Sequence, residues 1–92
     1  MKLYQVNYVG YYDDFGGGGK YTQGSWLYQS RENAIKKVAE IKPKIYEEFK
    51  EELEDLEYVE AIDEPECYTI REKSVVCYWG SSAYISEIET ED

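Results

Sequence analysis

The stretch SRENAIKKVAEIKPKIYEEFKEELEDLE, residues 30–57, decides the fold. Ser30 stands at the N-cap position, and Glu32 lies in the first turn, where a negative charge suits the positive end of the helix dipole. The apolar residues recur at steps of three or four, which is the spacing of an amphipathic helix with one buried stripe. The stripe consists of Ile35, Val38, Ile41, Ile45, Phe49, Leu53 and Leu56. The pattern predicts a long helix that extends to the end of the stretch.

Pro43 interrupts this helix. A proline there removes the hydrogen bond to the Ala39 carbonyl and disfavours helical geometry at Lys42. Because the apolar stripe keeps its phase across Pro43, we expect a kink rather than a second helix. The solvent face also changes charge at this point. It carries lysines before Pro43 and mostly carboxylates after it.

Segments with strand character flank the helix. Residues 2–12 alternate in period two, and residues around Trp26 form a second run, antiparallel to the first across the glycine run 16–19. After a turn at residues 63–65, three further strands are predicted at residues 67–71, 75–79 and 83–88. The order β-β-α-β-β-β predicts one α+β domain over residues 1–92. Its antiparallel sheet of four to five strands carries the Pro-kinked helix on one face.

The charge is unevenly distributed along the chain. The formal net charge is −10 on 92 residues. Residues 1–44 hold seven Lys/Arg and four Asp/Glu, whereas residues 45–92 hold three and sixteen. This acidity disfavours direct binding to nucleic acid or membrane and favours a protein partner with a basic surface. The alternative, that the charge only maintains solubility, stays open.

The sequence lacks the residues that several kinds of catalytic, metal-binding and phosphate-binding site require. Histidine is absent, which removes the Ser-His and Cys-His arrangements, and Cys67 and Cys77 cannot complete a zinc site. Both cysteines are expected to be reduced thiols of a cytoplasmic protein, since no signal-like segment is recognised. The glycine run before Lys20 fails the phosphate-loop spacing, because Asp14 and Tyr21 occupy the required glycine and hydroxyl positions. We predict no catalytic residue, cofactor or metal.

Aromatic residues are abundant, with 11 tyrosines and 2 tryptophans. Tyrosine offers rigid contact area with a polar tip and is enriched at protein interfaces. Trp26 and Trp79 are interpreted as residues of the core or its rim. Five other aromatics cluster around the glycine run: Tyr8, Tyr11, Tyr12, Phe15 and Tyr21. Of these, we assign Tyr11, Tyr12, Phe15 and Tyr21 to a binding surface.

The acidic end of the predicted helix is the second candidate surface. Its carboxylates repeat every three or four residues, as a row down one side of a helix would require. Such a row resembles the phosphates of a polynucleotide and suits a basic groove. The candidate partner-binding residues are Glu47, Glu48, Glu51, Glu52, Glu54 and Asp55. An ordinary solvated helix face is the alternative interpretation.

Part of the chain resembles small uncharacterised phage and bacterial α+β proteins. The resemblance is carried by the N-terminal strand, by the transition WLYQSRENA at residues 26–34, and by AYISEI at residues 83–88. It covers about half the chain and implies a compact strand-strand-helix-strand fold. Many small acidic phage proteins inhibit host defence systems, so the resemblance also implies an inhibitor. It carries over no site residue.

These observations lead to two hypotheses and a last-ranked third. The first is a non-enzymatic, phage-type inhibitor that places residues 47–57 against a basic groove of a host defence or nucleic-acid-handling protein. The second is a protein that sequesters a nucleotide-like signal with the glycine-rich aromatic loop. Nearby basic residues would form a local positive pocket for it: Lys20, Arg31, Lys36 and Lys37. A carboxylate-based enzyme ranks last, and self-association stays open.

Overall fold

The computed structural model describes residues 1–12, 19–55, 57–73 and 79–91. Within these residues the elements are β1 (Lys2–Tyr12), β2 (Gly19–Tyr28), α1 (Arg31–Phe49), a 3₁₀ turn (Glu52–Glu54), β3 (Val59–Glu64), β4 (Cys67–Glu72) and β5 (Gly80–Glu89). The five described strands form one antiparallel sheet in the order β2-β1-β5-β4-β3, and α1 packs on one face of it. The predicted α+β class and element order are confirmed.

α1 begins as predicted and ends early. The Ser30 hydroxyl accepts a hydrogen bond from the Asn33 backbone N–H at 3.3 Å, which caps the first turn. The helix ends at Phe49, so the prediction that it continues to residue 57 is wrong. Extending it would place Glu47 and Glu48 one turn from Glu51 and Glu52, at the negative end of the helix dipole. Like-charge repulsion and the dipole both disfavour that continuation.

Pro43 lies inside α1, as expected, and its side chain is exposed. We predict that Pro43→Ala raises the free energy of unfolding by about 1–3 kcal/mol, because it restores a helical N–H and relieves the clash of the ring with the preceding turn. Urea unfolding followed by circular dichroism measures the change. Lys44→Ala, at the next exposed position, is the matched control and should change stability much less. A Pro43→Ala protein less stable than wild type would contradict the prediction.

The strands after α1 differ in part from the prediction. The strand that follows the helix is β3, for which no separate strand was predicted, and it extends through the first two residues of the predicted turn at 63–65. The turn itself lies at residues 65–66, between β3 and β4. β4 and β5 contain the predicted segments 67–71 and 83–88. Of the predicted strand at residues 75–79, residues 75–78 lie outside the described residues, and Trp79 directly precedes β5. The loop at residues 13–18 also lies outside them.

The core lies between α1 and the central strands. Val38, Ile41 and Ile45 of α1 are buried against Val6 of β1 and Ile70 of β4. The opposite sheet face mixes polar and apolar side chains, and several of its polar groups hydrogen-bond to one another; for example, the Thr69 and Ser82 hydroxyl oxygens lie 2.7 Å apart. In the described ranges, no buried side-chain nitrogen or oxygen lacks a hydrogen-bond partner. The main apolar core of the described residues therefore lies under the helix.

Candidate functional site

Six carboxylates gather where α1 ends. Glu47 and Glu48 lie in its last turn, and the others lie in the chain that follows, of which Glu52 and Glu54 belong to the 3₁₀ turn. The expectation of a single row on one helix face is therefore wrong, because the helix stops after the first two. All six are exposed. We call this set the acidic corner: Glu47, Glu48, Glu51, Glu52, Glu54 and Asp55.

Little positive charge neutralises the acidic corner. Lys50 Nζ lies 3.0 Å from Glu47 Oε2, and this hydrogen bond together with the carboxylate charge raises the pKa of Lys50. Among the described residues, the other five carboxylates of the corner make no ion pair. The last turn of α1 contains no basic residue. The corner therefore presents a local excess of negative charge to solvent.

The predicted tyrosine cluster is divided between the two faces of the sheet. The rings of Tyr12 and Tyr21 lie on the helix side, with centroids 5.9 Å apart and planes inclined at 51°. Tyr11 lies on the opposite face, where its ring centroid is 5.5 Å from Arg71 Cζ. Phe15 lies outside the described residues. A pair of exposed tyrosines, rather than a single cluster, remains on the helix side.

The tyrosine pair and the acidic corner lie at the same end of the sheet. Burial raises the pKa of Tyr8, and the charge of Glu48 and the nearby Tyr21 phenol raise it further. Tyr8 thus connects the two features. Phe49 stacks on Trp79 at the same end, with ring centroids 5.7 Å apart. Trp79 and Trp26 both pack on the rim of the core, which confirms their interpretation.

A groove that the sequence analysis missed lies between α1 and β3. Its volume is about 520 Å³, and Pro43, Tyr46, Leu53, Ala61 and Tyr68 supply much of its lining. An ion pair, with Lys42 Nζ 2.5 Å from Asp63 Oδ1, also borders it. The one residue in the sequence that could have indicated the groove is Leu53, which continues the apolar stripe beyond the end of α1. The short strand β3, half acidic, gave little indication of a groove wall.

Two side chains of the groove give it polar character. Lys42 Nζ lies 5.2 Å from the centroid of the Tyr68 ring. Burial raises the pKa of Tyr68, and the charge of Asp63 raises it further, while Lys42 opposes the shift. The phenol is therefore neutral at physiological pH. The groove combines an apolar floor with a charged rim.

The basic residues considered for a nucleotide pocket are spread over the molecule. Lys20 lies near the start of β2, whereas Arg31 begins α1 beyond the other end of that strand. Arg31 forms an ion pair with Glu66, and this hydrogen bond lowers the pKa of Glu66. Lys37 Nζ lies 4.2 Å from the Trp26 ring centroid. Lys20 and Arg31 therefore do not line one pocket.

In the described ranges, no group of three or more Cys, Asp or Glu side chains is arranged to hold a metal ion. No described helix is both long and apolar enough to cross a membrane. In comparisons with protein-family models, curated proteins and solved structures, nothing matches this chain.

Proposed function

We propose that this protein is a non-enzymatic binding protein whose acidic corner docks on a basic protein surface. The observation that supports the proposal is the density of exposed carboxylates at the end of α1, of which Glu47 alone has a described ion-pair partner. Such a field attracts a cationic surface and accelerates its association. The exposed tyrosine pair beside the corner adds rigid contact area.

The position of these charges is unfavourable for the fold. Negative side chains at a helix C-terminus oppose the dipole, by roughly 0.3–1 kcal/mol each in exposed positions. Neighbouring like charges add repulsion. Solubility alone would be served equally well by carboxylates spread over the surface. A local concentration that lowers stability is better explained by a partner that neutralises it.

Proteins that handle nucleic acids are the partner class that this surface suits best. Their binding grooves present Lys and Arg spaced to contact phosphates, and exposed carboxylates can occupy the same positions. A bound acidic corner would exclude the polynucleotide. The protein would then act as an inhibitor of its partner, including a partner in host defence.

Charge reversal tests this function. The fourfold variant Glu48→Lys, Glu51→Lys, Glu52→Lys and Asp55→Lys should weaken partner binding at least about 100-fold, since it reverses the field at the interface. The partner is first captured from a lysate of the source cell and identified by mass spectrometry. Affinity is then measured by calorimetry with the purified partner at low and high salt, with and without competing nucleic acid.

The control changes the net charge equally at distant positions. Glu40, Glu87, Glu89 and Glu91 are exposed and lie outside the corner, and all four are replaced by lysine. This control should bind within a few-fold of wild type if the corner is the interface. Equal weakening by both variants would show that only net charge matters. Unchanged affinity of the corner variant, or partner binding unaffected by nucleic acid, would contradict the proposal.

A further inference from the structure

We infer that the free edge of β3, beside the groove, accepts an extended basic segment of the partner as an additional strand. The inference rests on the proposed function, because it names how the partner is held. β3 ends the described sheet order, so one of its edges has no neighbouring strand there. Strand addition at such an edge is a common mode of peptide recognition.

The hydrogen bonds of the sheet show which β3 groups face the free edge. The Lys73 N–H donates to the Tyr58 carbonyl at 2.8 Å. With the register of the two strands, this bond shows which β3 residues direct their backbone groups toward β4. In antiparallel strands, the N–H and C=O of one residue point to the same side, and successive residues alternate. Glu60 and Ile62 therefore pair with β4. The backbone groups of Ala61 and Asp63 point outward, and both residues are exposed.

The groove provides space for the side chains of an added strand. Ala61 lines the groove on the helix side, together with Tyr46 of α1 and Leu53 of the 3₁₀ turn. α1 packs mainly on the other four strands, and of the helix-side residues of β3, Val59 is buried in the core whereas Ala61 and Asp63 are exposed. Tyr46 has 45% of its surface exposed. Alternate side chains of an incoming strand would bury this apolar surface.

Charge identifies the occupant as a basic segment of another protein. β3 carries Glu60, Asp63 and Glu64 and contains no basic residue. A second copy paired through the same edge would bring these carboxylates together, which is unfavourable. Glu60 is already paired with Arg71 and Asp63 with Lys42, whereas Glu64 has no ion pair among the described residues. Lysine or arginine alternating with apolar residues fits this arrangement, because the apolar side chains would enter the groove while the cations lie on the opposite sheet face, beside Glu60 and Glu64.

A peptide titration tests the edge directly. The probe is an acetylated, amidated decapeptide in which lysine and valine alternate, added to the ¹⁵N-labelled protein. Saturable amide shifts are expected at Ala61 and Asp63, and none at Ser25 on the opposite edge strand β2. Ala61→Pro removes an outward N–H without removing a β3–β4 hydrogen bond. It should weaken binding about ten-fold or more, the loss expected for hydrogen bonds left unmade.

Two controls keep the result decisive. Ala61→Ser retains the N–H and should bind like wild type. The same peptide with alternate backbone amides methylated leaves the protein unchanged and should also bind about ten-fold more weakly. The inference would be overturned if the peptide does not bind, or if the amide shifts are larger in β2 than in β3. Equal affinity for the methylated and the unmethylated peptide would also overturn it.

The purified partner separates the two proposals. If Ala61→Pro leaves partner affinity unchanged while the corner charge reversal weakens it, strand addition is wrong and the proposed function stands. If neither variant affects the partner, both are wrong. A loss with each variant supports both.

Discussion

Replacing Ile45 by alanine is expected to lower the free energy of unfolding by about 2–5 kcal/mol. Ile45 has none of its surface exposed and belongs to the core under α1. The substitution removes apolar contacts and leaves a cavity that its neighbours fill only in part. Ile45 also follows Pro43 by two residues. A large loss would therefore show that α1 packs firmly on the sheet beyond its proline.

The next residue provides the matched control. Tyr46→Ala makes a comparable change in helix propensity at a position that is exposed. We expect it to alter stability by less than about 1 kcal/mol. Ile45→Val should fall in between, at about 0.5–1.5 kcal/mol. Denaturant unfolding followed by tryptophan fluorescence measures all three, and equal losses for Ile45→Ala and Tyr46→Ala would contradict the packing described here.

The elements that could be predicted are those specified by local sequence. The alternation in β1, the cap at Ser30 and the spacing of Val38, Ile41 and Ile45 each depend on neighbours a few residues away. The spacing of apolar residues and the presence of a capping residue depend directly on such local contacts. They were sufficient for the α+β class and for the start of α1.

The end of α1 and the position of β3 could not be read in the same way. The stripe continues in phase to Leu53, which still packs against the core after the helix has ended. An apolar residue in the sequence indicates that its side chain is buried. It does not indicate whether the backbone there is an α-helix or a 3₁₀ turn that places the same side chain in the core. The insertion of β5 between β1 and β4 depends on contacts far apart in sequence. Periodicity contains no information about such pairing.

The candidate site likewise has some features that local sequence predicts and others that depend on contacts distant in sequence. Exposure of the carboxylates from Glu47 to Asp55 followed from their charge and composition. Their arrangement as a corner depended on where α1 ends. The groove requires Tyr46, Ala61 and Tyr68 to meet from three elements, and the outward direction of the Ala61 backbone depends on the register with β4. Neither property is local.

Gly80→Ala is expected to destabilise the protein by about 3 kcal/mol or more, through backbone strain and overpacking together. Gly80 is buried at the start of β5 and has φ +137°, a conformation that side chains with a Cβ rarely adopt. An added Cβ would lie 2.5 Å from Arg71 Cα and 2.6 Å from the Ile70 carbonyl oxygen. These are backbone atoms of the paired strand β4, so relief requires β4 and β5 to separate.

Gly10→Ala separates this effect from a general intolerance of side chains at sheet glycines. Its Cβ would lie 2.5 Å from Cζ of Tyr21, a similar clash by distance. The Tyr21 side chain is half exposed and can rotate into solvent, so we expect a loss of roughly 1 kcal/mol or less. Thermal and urea unfolding of the two variants give the comparison. A Gly80→Ala loss no larger than that of Gly10→Ala would show that β4 and β5 adjust easily at this position. The large difference we expect instead follows from what each Cβ meets: a movable ring at position 10, and a fixed backbone at position 80.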